Sequence, residues 1–291
     1  MGEQVCMTGA ECCGGAAGVD TNGYPFETTG NAVLDILEHR SSTRAFARDD
    51  DDRPVAVTDE QRAAILHAAS RAPSAGAMMM YSIVSIREQA TLDRLADLCD
   101  HQPMIAKAPW ALIFVVDYAK WIDLFEHVGC FEPEFVERTG KSPRRAPGLG
   151  DFAIAAQDAV IAAQNAVVAA EALGLGSCYI GDVVENAEEV AELLDLPPYT
   201  MPLSMLIIGT PRKERPAIAH PVVNLVHEER YRRADDATMD AQVAEMDAMF
   251  RPHAREVGER VVDIYARKHT SPFMAEMSRS MEWWFKNWLG R

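Results

Sequence analysis

The sequence predicts a layered core of one β-sheet and flanking helices, of the α/β or α+β class, with a helical C-terminal third. Three observations predict it. Strand-like runs at 81–86, 110–118, 177–181 and 203–209 alternate with helical periodicity. One long apolar helix runs from Asp151 to Leu173. Beyond residue 231 the periodicity is helical throughout. The expected organisation is a tail over 1–28, a core over 29–230, and a helical extension of the same domain over 231–291.

The elements follow in order. Residues 1–28 are rich in Gly, Cys and Thr and show no period. "NAVLDILEHR" (31–40) sets Val33, Leu34 and Leu37 in a helical arrangement. "RDDDDRPVAV" (48–57) reads as a solvated, charged loop. Thr58 is placed to cap the next helix, with Gln61 returning the bond, and Pro73 bars its continuation. "YSIVSI" (81–86) is a strand, "TLDRLADLCD" (91–100) a helix, and "WALIFVVDY" (110–118) a buried strand. From 119 to 150 the chain loosens into Pro- and Gly-containing segments, where Trp121, Phe125 and Phe131 form either a lid or a packing surface.

Asp151 is placed to cap the long helix. Its Ala, Val and Ile residues lie on every side, which argues burial and a close approach of backbones, as at a subunit seam. Gln157, Gln164 and Glu171 share one face, with Asp158 and Asn165 on the adjacent stripe. Polar groups in so apolar a helix need partners, structural or in a site. Gly174 suits the left-handed conformation that closes the helix. Asn186 and Glu189 fit a second capping pair, and "PLSMLIIGT" (202–210) is the last strand. Helices follow at 235–250 and 271–288. On the second, Met274, Met277, Met281, Trp284 and Trp288 form a stripe for core packing or for clasping a partner subunit.

Composition excludes several classes. A chain of 291 residues with 48% hydrophobic content has ample material for a core. The net charge of −16 repels phosphate backbones and disfavours nucleic-acid binding. A nucleotide site here must therefore be locally basic. No uninterrupted apolar run suggests a membrane span, and no secretory signal is apparent, so the cytoplasm is the expected compartment. The six cysteines, including Cys6, Cys12 and Cys13, show neither a disulfide framework nor zinc spacing. The eight histidines form no ligand cluster, and neither G-x-S-x-G nor H-E-x-x-H is present. No metal is expected.

Three stretches remain for chemistry. "EHRSSTRAF" (38–46) sets Arg40 and Arg44 around Ser41, Ser42 and Thr43, which fits a phosphate receptor or simply a basic helix end. "APSAGAMMMYS" (72–82) offers Ser74, Ala75 and Gly76 as small residues able to admit a ring, with methionines to pack against it or to fill core. In "AAEALGLGSCYIG" (169–181), Gly176 and Gly181 let backbone approach a flat or anionic group.

These stretches, with "AAQNAVVAAEALGLGSCYIG" and "PLSMLIIGTP", resemble the FMN-dependent nitroreductase family over roughly 31–290. The resemblance is greatest to its NADPH-preferring flavin reductase and oxygen-insensitive nitroreductase branch. It implies a nitroreductase-like α+β fold with a mixed five-stranded sheet, a long dimer-interface helix, and a homodimer holding FMN between its subunits. By the same resemblance Arg40, Ser42 and Arg44 lie on the phosphate side. Ser74, Ala75, Gly76 and Met79 lie near the flavin, Ile180 and Gly181 flank its ring, and Arg212 and Arg215 take over a phosphate contact. Arg251 and Arg255 would grip the extra phosphate of NADPH. The sequence departs from the family at Ala77 and Met79, where Asn and Gln are common, and at Ile218 and His220, where a basic pair is common. The resemblance implies hydride transfer from NAD(P)H through FMN to a nitroaromatic, quinone or flavin acceptor, with no catalytic side chain. A specialised flavoenzyme with little NAD(P)H activity and a flavin-free dimeric binding protein are the alternatives.

Overall fold

The computed structural model describes residues 18–19, 25–26, 30–141, 144–213, 224–250 and 256–290. Cys6, Cys12, Cys13, Arg215, Ile218, His220, Arg251 and Arg255 lie outside the described residues. Within the segment expected to be a tail, β1 (Gly18–Val19) pairs antiparallel with β2 (Pro25–Phe26).

Helices α1 (Ala32–His39) and α2 (Asp59–Ser70) come next, and α2 opens on the full Thr58–Gln61 capping box. β3 (Tyr81–Ile86) leads through α3 (Gln89–Leu98) and the short α4 (Pro103–Ala106) to β4 (Trp110–Asp117). The segment after β4, expected to be loose, forms α5 (Ala119–His127) and α6 (Pro133–Thr139). Its aromatic residues are a packing surface. Trp121 and Phe125 pack at a tilt with centroids 5.5 Å apart, and the Trp121 indole donates to the Met78 carbonyl at 2.9 Å.

The long helix α7 (Leu149–Ala172) starts two residues before the expected Asp151. Gly148 is its cap, and Asp151 acts from inside the first turn, accepting from the Gly148 amide at 2.8 Å while Arg145 forks onto both its oxygens. That arrangement holds the Asp151 carboxyl below its usual range, chiefly through the Arg145 hydrogen bonds. Gly174 takes φ +73° after the helix, as the left-handed closure requires. β5 (Gly176–Ile180), α8 (Ala187–Leu193) and β6 (Thr200–Gly209) complete the core. The expected Asn186 cap is not made. Asn186 sits at φ +46°, which turns its side chain away to donate to the Leu98 carbonyl, and Glu189 pairs with Arg94. Ser280 Oγ serves the Ala187 amide instead.

The sheet order is β3-β4-β6-β5, and every pairing is antiparallel. The expected mixed five-stranded sheet is therefore four-stranded among the described residues. The reason lies at the outer edge of β5. The chain beside it meets β5 in one parallel bridge, Ser42 to Ser177, and then turns away to bridge Phe46 with Pro211.

Side-chain alternation along β4 divides the core. Ala111, Ile113 and Val115 face a cluster with Leu92, Leu95 and Val190, from α3 and α8. Trp110, Leu112, Phe114 and Val116 face Ile65 of α2 and the buried alanines of α7. By length and apolar composition α7 is the one described helix suited to crossing a membrane, but Ala155, Ala159, Ala163 and Ala166 on it are packed against that second face. Helices α9 (Asp236–Phe250), α10 (Glu259–Ile264) and α11 (Pro272–Leu289) follow, with a π-helical stretch at 265–269 before α11. Trp284 of α11 enters the first cluster and Trp288 the second, and their indoles donate to Val184 and Gly148 carbonyls at 2.9 and 3.1 Å.

Candidate functional site

The segment 42–47 is sewn along the β5 edge and across the end of the sheet. The Thr43 amide donates to the Ser177 carbonyl at 2.8 Å, the Arg212 amide to Ala45 at 3.0 Å, and the Ala47 amide to Thr210 at 2.8 Å. Thr43 is buried against Gly176, where a Cβ would lie 2.1 Å from the Thr43 hydroxyl. Only glycine lets the two chains approach so closely. Gly209 plays the same part at the neighbouring strand end, where an added Cβ would strike Pro109 at 2.7 Å and Phe46 at 2.8 Å.

These contacts bring cations together. Arg44, Arg48, Lys107 and Arg212 line one cleft of about 630 Å³, with Asp52 the one carboxylate on its wall. Arg48 is committed to Asp52, through the Asp52 carbonyl and an ion pair at 3.7 Å. From Ser177, β5 runs on to Ile180 and Gly181. At about 3.3 Å per residue Gly181 stands about 13 Å further along the same edge. Gly181 is exposed, and an added Cβ there would meet no atom within 4 Å. A basic cleft at one end of an open edge and bare backbone at the other can receive an elongated ligand with an anionic tail and a flat head.

Arg40 does not line that cleft. It lies against Tyr179 and Glu171, and its Nε is buried without a hydrogen-bond partner. Burial pushes the Tyr179 phenol up to about 12 and raises the Glu171 carboxyl, and Arg40 offsets part of both. The Tyr179 hydroxyl bonds Gln164 at 3.3 Å, and Asn165 donates to the Ala68 carbonyl at 3.1 Å. Gln164 and Asn165 of α7 are thus satisfied structurally, whereas Glu171 Oε1 is buried without a hydrogen-bond partner.

Ser74, Ala75, Gly76 and Met79 lie elsewhere. Their loop enters β3 at Tyr81, which pairs with Val116, itself paired with Met201. That is the opposite edge of the sheet from β5 and the opposite end from Gly209. Three strand spacings, about 14 Å, separate the edges. The loop is strained and tied down. Gly76, Ala77 and Met79 all have φ between +50° and +58°. Asp158 accepts the Ala75 and Met80 amides at 2.9 and 3.2 Å, and Ser74 Oγ accepts the Met79 amide at 3.2 Å.

The structure thus gathers Ser42, Arg44, Arg212, Ile180 and Gly181 along one edge and leaves the 74–79 loop on the other. Lys107 and Arg48 were missed in the sequence. Arg48 stood in a loop read as solvated, and no local signal marks Lys107, which reaches the cleft only through the packing at Gly209.

A model of the nitroreductase family matches residues 37–210. The chain belongs to the nitroreductase family. An FMN reductase [NAD(P)H] of Bacillus subtilis is 33% identical over 73% of this chain and 79% of its own. An oxygen-insensitive NADPH nitroreductase of Salmonella typhimurium is 32% identical over 73% of this chain and 81% of its own. Among solved structures, the hypothetical oxidoreductase YcnD from Bacillus subtilis aligns with a TM-score of 0.71 at 26% identity, covering 87% of this chain and 97% of its own. The NADPH:FMN oxidoreductase from Vibrio harveyi complexed with NAD+ aligns at 0.66 and 25% identity, covering 86% and 97%. The nitroreductase family segment spans everything from the end of α1 to the end of β6. It therefore contains both the β5 edge and the strained loop, and leaves α9 to α11 outside.

Proposed function

We propose that the protein is a flavin-dependent oxidoreductase that takes hydride from NAD(P)H onto FMN and passes it to an electron-poor acceptor such as a nitroaromatic, a quinone or a second flavin. The observation that carries this reading is the β5 edge, with its basic cleft beside Arg44 and Arg212 and its open backbone at Gly181. The residues fit FMN: guanidinium groups suit the phosphate, and the empty space over Gly181 suits a planar ring. The flavin supplies the hydride chemistry when bound. This chain's residues bind and orient. Arg44 and Arg212 hold the anionic tail, Ser42 offers its hydroxyl beside them, and the Ile180–Gly181 backbone leaves one ring edge unobstructed. No side-chain acid or base is assigned.

We further propose that the active unit is a homodimer. The 74–79 loop lies on the opposite sheet edge from Gly181, about 14 Å away by strand spacing, so a second copy is better placed to bring its loop to the ring at Gly181. Exposed apolar residues favour such a partner. Val33, Leu34 and Leu37 on α1, and Ile154, Val160 and Ile161 on α7, all stand well open to solvent. The resemblance to the NADPH-linked relatives favours NADPH as donor.

The test is direct. The purified protein is expected to carry FMN, and NADPH added without air should rapidly bleach its visible band. A bound flavin that stays oxidised overturns the reductase reading.

A further inference from the structure

The cleft at the sheet end holds more cationic charge than the Arg44 motif accounts for. Arg48 and Asp52 neutralise each other. Arg44, Lys107 and Arg212 have no carboxylate partner within ion-pair distance among the described residues. Three unpaired like charges facing one space repel one another, and they do so on a chain of net charge −16 that has carboxylates in excess to place beside them.

Lys107 is also well positioned. It follows α4, whose Ile105 is fully buried, and precedes Ala108, buried to 1% exposure. Its backbone amide donates to the Ile105 carbonyl. The next residue but one, Pro109, packs on Gly209 together with Phe46, which fixes the Lys107 turn against the Arg44 segment. The lysine stem is free, but its root is held.

We infer that Lys107 is a phosphate-recognition residue, completing with Arg44 and Arg212 a receptor for the phosphate group of the redox nucleotide this site takes. The inference rests on the flavoenzyme reading for the identity of the nucleotide. The shared chemistry is a phosphate dianion, which an ammonium binds as a point charge and two guanidinium forks bind directionally. Either FMN or the dinucleotide donor carries such a group.

The test compares wild type, Lys107→Gln and Lys107→Arg as full-length protein, each with its melting temperature checked. Flavin-stripped protein is titrated with FMN and with riboflavin, which lacks the phosphate. About a tenfold loss of FMN affinity in Lys107→Gln, with riboflavin unchanged and Lys107→Arg close to wild type, assigns Lys107 to the flavin phosphate. A raised KM for NADPH but not NADH, with FMN affinity unchanged, assigns it to the donor's extra phosphate. Unchanged FMN affinity together with unchanged NADPH preference overturns the inference. Should wild type bind no flavin, the flavoenzyme reading fails and pyrophosphate becomes the probe. A thermal stabilisation by pyrophosphate that Lys107→Gln lacks upholds the phosphate receptor, and equal stabilisation of both, or none, removes it.

Discussion

Asp158, buried at 2% exposure in the middle of α7, accepts the backbone amide of Ala75 at 2.9 Å. Its other oxygen takes the Met80 amide at 3.2 Å, so one carboxylate spans the strained loop from end to end. Asp158→Ala leaves two amides unpaired, that of Met80 in a buried setting and that of Ala75 in a part-buried one. Each charge-assisted bond of this kind is worth about 1.5–3 kcal/mol, so a loss of about 3 kcal/mol is expected. Asp158→Asn keeps one acceptor and should lose less. Urea unfolding of the two variants measures both, and equal stability of Asp158→Ala and wild type would refute the anchoring role.

Gly176 and Gly181 make opposite predictions. Gly176→Ala drives a methyl into Thr43 and should cost about 1–3 kcal/mol, with flavin affinity falling as the 42–47 segment is displaced. Gly181→Val places its Cβ where no protein atom lies within 4 Å and should leave the melting temperature within a degree or two of wild type, roughly the range of a neutral surface change. If the ring lies over Gly181, Gly181→Val nonetheless loses bound flavin. Normal occupancy in that variant would move the ring elsewhere.

Glu185 predicts a pH effect. It is 4% exposed, and burial, followed by Asp182, Asp100 and Glu276, raises its carboxyl to about 7. The folded state therefore binds the proton more tightly than the unfolded state, whose carboxyl titrates near 4.5. Ionising Glu185 costs nothing below that value, and the cost grows as pH rises to about 7. Glu185→Gln removes it. The melting-temperature difference, variant minus wild type, should rise between pH 4 and pH 8 (the flanking windows are roughly one unit either side). A difference that is flat or falls counts against the assignment.

Trp284 and Trp288 sit one helical turn apart, fully buried, in opposite core clusters. Each substitution to Ala should cost about 3–5 kcal/mol. Trp284→Phe keeps most of the volume but strands the Val184 carbonyl, a loss of about 1 kcal/mol beyond the packing change. Chemical denaturation of the single and double variants checks this. The two effects should couple and not simply add, because the residues are four apart on one helix and Phe152 packs against both clusters.

What was legible in the sequence was local. Thr58 and Gln61 are three residues apart, so their reciprocal bonds could be read directly. Gly174 announced its left-handed turn, and strand 81–86 fell where its β-branched pattern put it. Asp151 misled by one turn, because an acid reaching back from the third helical position to the Gly148 amide marks a helix start as readily as a cap does. Asn186 misled because its neighbours across space, Leu98 and Glu276, claimed it. The Arg44 motif could be read, but its gathering with Lys107 depended on Phe46 and Pro109 meeting at Gly209. Nothing within a short window encodes that meeting. The separation of Ser74 from Gly181 likewise follows from strand order.

The two indoles of α11 set a constraint on biosynthesis. β4 and β6, the central strands, and the helices α2, α3, α7 and α8 that cover their two faces are all made before residue 210, yet each core layer lacks one fully buried indole until Trp284 and Trp288 are in place. A ribosome must extrude that helix before either layer is complete. Until residues 210–288 have been added, each layer keeps an indole-sized gap in its apolar packing, which is the kind of surface a chaperone recognises.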